Sequence, residues 1–284
     1  MKKFSALVLC WCAASVAAAE CLISNESAAQ RIETYQTCLD GGLPVADSID
    51  MALGFQSQGD ASRQKSDFKA AVDYFDDQIA DVDGDTSIIY FHRALANLIL
   101  GKERRALTDL ETVNTQIPDY APGHFYRGMT LFKQRKYRDA VSALDTAIAI
   151  STTGAQRAPI YFAKAQALSS TKSREAAIAT YGDAINSDAT YAKPYFERAR
   201  LQEKEGRLPQ AIEDYSKYIE LRPAAAEAYH NRGLIYQDLR QDHLAIADFN
   251  RAIERNPDYL KARASKGFTY LWPILPVLLV LLAG

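Results

Sequence analysis

AEAYHNRGLIYQDLRQDHLAIADFNRAIERNPDY, residues 226–259, decides how the rest of the chain is read. It holds two amphipathic helical patterns with a polar turn between them. Pro257 closes the second, because proline lacks an N–H and restricts the residue before it. One such pair cannot bury its own apolar face. A pattern that recurs every 20–50 residues solves this by stacking copies.

The pattern does recur. Numbered from Ala226, the marked columns are 4, 8, 11, 20, 24, 27 and 32. In this copy they hold Tyr229, Gly233, Tyr236, Ala245, Phe249, Ala252 and Pro257. Residues 192–225 give Tyr195, Ala199, Gln202, Ala211, Tyr215, Tyr218 and Pro223. Residues 158–191 give Tyr161, Ala165, Leu168, Ala177, Tyr181, Ala184 and Ala189. Residues 121–154 and 87–120 keep Ala140 with Leu144 and Ala106 with Leu110, and residues 52–85 form a weaker copy around Ala71 and Phe75. Slips fall at Thr86 and at residues 155–157, where loops absorb insertions. Small residues at columns 8, 20 and 27 let two helices approach. Large and aromatic residues at 4, 11 and 24 fill the space around them.

These columns resemble the tetratricopeptide repeat (TPR) family over residues 52–259. The resemblance implies an all-α fold, a right-handed superhelical solenoid of antiparallel helix pairs. Residues 260–270 read as one more first helix, which caps the array.

The flanks read differently. Lys2 and Lys3, the apolar run to Val16 and Ala17-Ala18-Ala19 form a signal peptide, residues 1–19, cut before Glu20. The mature chain then keeps Cys21 and Cys38, an even pair in an exported protein, and so a disulfide. A helix opens at Ala28 behind a Ser27–Gln30 capping pattern, so residues 20–51 form an N-terminal cap. At the other end, residues 267–284 carry no charge. The tail within residues 260–284 is open to three readings: membrane contact, a packed cap, or an end foreign to the native protein. Pro273 and Pro276 would break a spanning helix there.

Lys+Arg 33 against Asp+Glu 35 leaves a net charge of -2, which excludes a broadly basic nucleic-acid binder. No nucleophile elbow or phosphate loop is present. His92, His124, His230 and His243 share no column and no metal-ligand spacing. Asp81, Asp83 and Asp85 resemble the start of a calcium loop, but Gly84 is misplaced and no Glu closes it. No catalytic residue, metal or cofactor is expected.

Two columns carry candidate interactions. Column 7 holds Arg93, Arg127, Lys164, Arg198, Arg232 and Lys266, and Asp109, Asp214 and Asp248 stand at column 23 of three of the same repeats. This reads either as an ion pair within each repeat or as a basic ladder for an anionic ligand. Column 5 holds Phe91, Phe125, Phe162 and Phe196, then His230. The resemblance implies that columns 2, 5, 9, 12 and 13 face the concave groove. A partner-binding trough would then comprise Phe91, Leu95, Leu98, Phe125, Met129, Phe132, Phe162, Phe196 and Arg200. The competing reading packs the column 5 rings inside the array. The family's carboxylate clamp needs Lys at column 5 and Asn at 9, which this chain lacks. The expected function is a non-catalytic interaction scaffold of the cell envelope, periplasmic, holding a segment of another protein. The alternative is an assembly helper tethered to the membrane by its tail.

Overall fold

The computed structural model describes residues 68–69, 72–73, 75–80 and 86–271. The signal peptide, Cys21 and Cys38, and the tail from Trp272 lie outside the described residues. The chain divides into two compact units, Met1–Gln134 and Arg135–Gly284. In the first, α1 (Ser87–Ile99), α2 (Glu103–Gln116) and α3 (Ala121–Lys133) follow helical residues 75–80. In the second come α4 (Tyr137–Ile150), α5 (Gly154–Ser170), α6 (Arg174–Ser187) and α7 (Ala192–Lys204). They are followed by α8 (Leu208–Leu221), α9 (Ala226–Asp238), α10 (Asp242–Arg255) and α11 (Leu260–Leu271). Among the described residues there is no strand, and the fold is all-α, of the TPR solenoid class.

The small columns sit at the centre of each pair. Ala106, Ala140, Ala177, Ala211 and Ala245, all at column 20, are 0% exposed. Their column 24 neighbours Leu110, Leu144, Tyr181, Tyr215 and Phe249 are buried to 2% exposure or less. The helices come close at Gly233, where an added Cβ would lie 2.7 Å from Cε1 of Phe249. Glycine is required there by the ring it faces.

The turn inside each pair uses a column that the sequence reading passed over. Column 15 has positive φ throughout: Gly101 at 71°, Arg135 at 60°, Lys172 at 64°, Gly206 at 72° and Arg240 at 59°. The left-handed residue lets the next N–H reach back to column 11. Lys102 N–H donates to the Asn97 carbonyl, Arg207 to Gln202 and Gln241 to Tyr236, each at 2.8 Å. This is the Schellman closure, which satisfies a carbonyl the helix end would leave bare. Only two of these five positions are glycine, so glycine spacing does not reveal the turn.

One boundary is corrected. Residues 155–157 are helical, not a loop, because α5 begins at Gly154. Thr153 accepts from the Gln156 N–H and the Gln156 side chain accepts from the Thr153 N–H, a complete capping box that pulls the helix start forward.

Candidate protein-binding face

The column 5 side chains do not form an open trough. Phe91 is 2% exposed and belongs to the core of the first unit with Ala94, Ala106, Leu110, Val113 and Tyr126. Its ring meets Tyr120 at 5.2 Å and Tyr126 at 5.6 Å, both edge-on. In the second unit the position is built the same way. Phe162 lies 5.7 Å from Tyr181 and 5.6 Å from Tyr191. His230 lies 5.7 Å from Phe249 and 5.3 Å from Tyr259. Phe196 lies 5.6 Å from Tyr215 and 5.0 Å from Tyr218. Each column 5 ring of the second unit is thus held between its own repeat's column 24 ring and a second aromatic. That second ring stands at column 34 (Tyr191, Tyr259), as does Tyr120 beside Phe91; where column 34 is Ala225, Tyr218 at column 27 replaces it. Each such ring pair contributes about 0.5–1.5 kcal/mol beyond its buried area. The recurrent tyrosine at column 34 was visible in the sequence and was the missed signal.

Phe91 is therefore a packing residue, and its placement in the trough is corrected. Phe125, Phe162 and Phe196 are half-buried in the same role, with Phe125 edge-on to Tyr126 at 5.2 Å. Leu95 and Leu98 lean on the first unit's core but keep part of their surface. Met129 and Phe132 on α3 are also half-buried. Ile88, at column 2 of α1, is 41% exposed. The accessible apolar surface of the first unit thus comes from columns 2, 9 and 12. In the second unit Arg200 is exposed and pairs with Glu197 at 3.1 Å, so column 9 is charged in that repeat.

Three of the column 7 cations, Arg93, Arg198 and Arg232, form ion pairs within their repeats, as the first of the two readings has it. Arg93 grips Asp109 through Nε at 3.1 Å and Nη2 at 2.6 Å. Arg198 grips Asp214 through both nitrogens at 2.7 Å, and Arg232 grips Asp248 at 2.7 and 2.8 Å. Burial raises the Asp214 pKa, and Arg198 draws it back down by donating to both oxygens. Column 7 cations also reach column 25 of the preceding repeat. Arg93 reaches Asp76 at 2.6 Å, Lys164 reaches Asp145 at 2.6 Å, and Arg232 donates to Ser216 Oγ at 2.8 Å. One side chain therefore ties helix to helix and repeat to repeat. An anionic ligand would have to displace these carboxylates.

His230 is the one ionisable member of column 5. It is 6% exposed, and its Nε2 lies 3.1 Å from Ser265 Oγ on α11. Burial lowers its pKa, the Asn231 side chain opposes this, Lys261 adds to it and Glu227 opposes it. A histidine with a folded pKa below its unfolded value leaves full stability above about pH 6.5, and stability falls as pH drops through that value. His230→Phe restores the ring that the other repeats carry. It is expected to flatten the loss of thermal stability between about pH 7 and pH 5, read as melting temperature against pH.

The comparisons fit this geometry. Tetratricopeptide repeat profiles match residues 158–191 and 226–259, and a TPR repeat profile matches residues 204–239. Tetratricopeptide repeats are thus shown over residues 158–191 and 204–259. Among curated proteins it is 28% identical over 112 residues to the Protein STIP1 homolog of Dictyostelium discoideum, covering 39% of this chain and 20% of that one. The match thus spans about a fifth of the relative's length. Among solved structures, YrrB, a TPR protein with an unusual peptide-binding site, is 19% identical with a TM-score of 0.55, over 68% of this chain and 97% of that one. MamA is 24% identical with a TM-score of 0.55, over 62% and 94%. The C-terminal part of a TPR repeat-containing protein from Cytophaga hutchinsonii is 15% identical with a TM-score of 0.61, over 84% and 94%. Among the described residues no His, Cys, Asp or Glu group could hold a metal ion, and no described helix is long and apolar enough to cross a membrane.

Proposed function

We propose that the chain is a non-catalytic interaction scaffold of the cell envelope that holds a segment of another protein on the first-helix face of its repeats. The observation that carries this is the accessible apolar surface on α1 and α3, from Ile88 through Leu95 and Leu98 to Met129 and Phe132. Partly exposed apolar surface of this kind marks an interaction site, and Met suits it because a thioether adapts to irregular partners. The peptide-binding site of YrrB supports the same reading by fold alone. The chemistry implies an apolar peptide or one face of an amphipathic helix.

The test is peptide display against the full chain, followed by affinity measurement. Ile88→Ser with Met129→Ser is expected to weaken selected apolar peptides at least tenfold, as removal of two anchors should. Helix content should be unchanged, since neither residue is in the core. Equal affinity for the variant would overturn the assignment. Phe91→Ala is no test of binding, because it opens the core.

The second reading is attachment to a membrane through the tail. The uncharged run of residues 267–284 favours it.

A further inference from the structure

We propose that α11 is a docking helix for an anionic lipid surface. This extends the membrane reading above by moving recognition from the tail to a described helix. At 3.6 residues per turn, Leu260, Ala264, Gly267 and Phe268 share one side of α11. That side faces outward. Leu260 is 71% exposed and Phe268 53%, while Ala262 and Thr269 on the other side are 0% and 3% exposed. The inner side is fixed to the repeat before it: Ala262 sits in the core with Ala228 and Tyr229, and Gln237 donates to Thr269 Oγ1 at 2.8 Å.

Two comparisons within the chain set this outward side beside that of a first helix. Gly233 in α9 is filled by Phe249 of α10, at 2.7 Å from its would-be Cβ. Gly267 is the same column in α11, and a Cβ there would meet nothing within 4 Å. The following sequence does not repeat the second-helix pattern at the same spacing. Column 20 would be Leu279, where the preceding repeats have fully buried alanines.

Charge selects the occupant. Lys261 and Arg263 are exposed beside the apolar stripe, and Lys266 is half-exposed. From Leu260 to Gly284 there is no Asp or Glu, in a chain whose net charge is -2. An apolar stripe edged by cations is the pattern of a helix that lies in a lipid interface. A second copy of α11 on the same face would bring these cations against their equals. Anionic headgroups neutralise them.

The test is flotation of the full chain with phosphatidylcholine vesicles, with and without about one third phosphatidylserine. The expected result is capture by the anionic vesicles only, lost at high salt because such attraction is screened. Lys261→Gln with Arg263→Gln should weaken capture at least tenfold, at roughly fivefold per cation. Phe268→Ser should weaken it without changing helix content. Equal capture by neutral and anionic vesicles, unaffected by these variants, would overturn the proposal and leave the tail reading standing. No capture by either vesicle would overturn both. Concentration-dependent dimers that Phe268→Ser abolishes, with no vesicle capture, would assign the face to a second copy instead.

Discussion

Arg232→Met is expected to destabilise the second unit by about 3 kcal/mol, the cost of leaving a buried carboxylate without its partner. Asp248 is 2% exposed, and both its oxygens accept from Arg232. Arg251 also approaches Asp248, but at 3.5 Å and from an exposed position, so it offsets little. The same variant removes the donor to Ser216, the contact with the preceding repeat. Adding Asp248→Asn should recover roughly half of the loss, because a neutral amide costs less to bury than an unpaired charge. Thermal unfolding of the two single variants and the double variant gives the coupling. Additive losses would mean that the pair is not linked as the geometry shows.

Phe249→Ala should cost more still, about 3–5 kcal/mol for a fully buried phenyl ring whose site cannot collapse. Phe249 is 0% exposed and fills the space above Gly233. The ring also forms one wall of the box around His230. Its loss therefore removes packing at two columns. The paired variant is Gly233→Ala. Alone it should cost about 1–2 kcal/mol, since the crowding penalty exceeds the gain in helix propensity. In a Phe249→Leu background it should cost less, because the smaller side chain gives the added methyl room. Denaturant midpoints at a constant slope measure both. A Gly233→Ala variant more stable than the parent would show that α9 and α10 can move apart freely.

Much of the fold was legible because its constraints are local and repeated. Ala at column 20 and a large residue at column 24 recur at a fixed period, and both prove fully buried. The Arg–Asp columns were legible for the same reason: residues 16 apart, as Arg232 and Asp248 are, recur as a pair. What escaped was of two kinds. Column 15 tolerates Gly, Arg or Lys at positive φ, so residue identity hides the turn. Column 5 was ambiguous in principle. A phenylalanine on a helix face reads the same whether it meets solvent or a tyrosine 29 residues on, as His230 meets Tyr259. The column 34 tyrosines separate the two cases, and Tyr218 shows the replacement made when one is missing. The candidate site consequently shifted off column 5 and rests on columns 2, 9 and 12 of α1 and α3, of which 9 and 12 were already in the expected trough.

That shift is the central claim, and methyl resonances test it directly. The full chain, labelled at isoleucine, leucine, valine and methionine methyls, would be titrated with a display-selected apolar peptide. The predicted result is shift changes concentrated at Ile88, Leu95, Leu98 and Met129, with Val113 and Leu110 in the core unmoved. Shifts centred on the second-helix residues of the first unit, or absent from Ile88 and Met129, would contradict it.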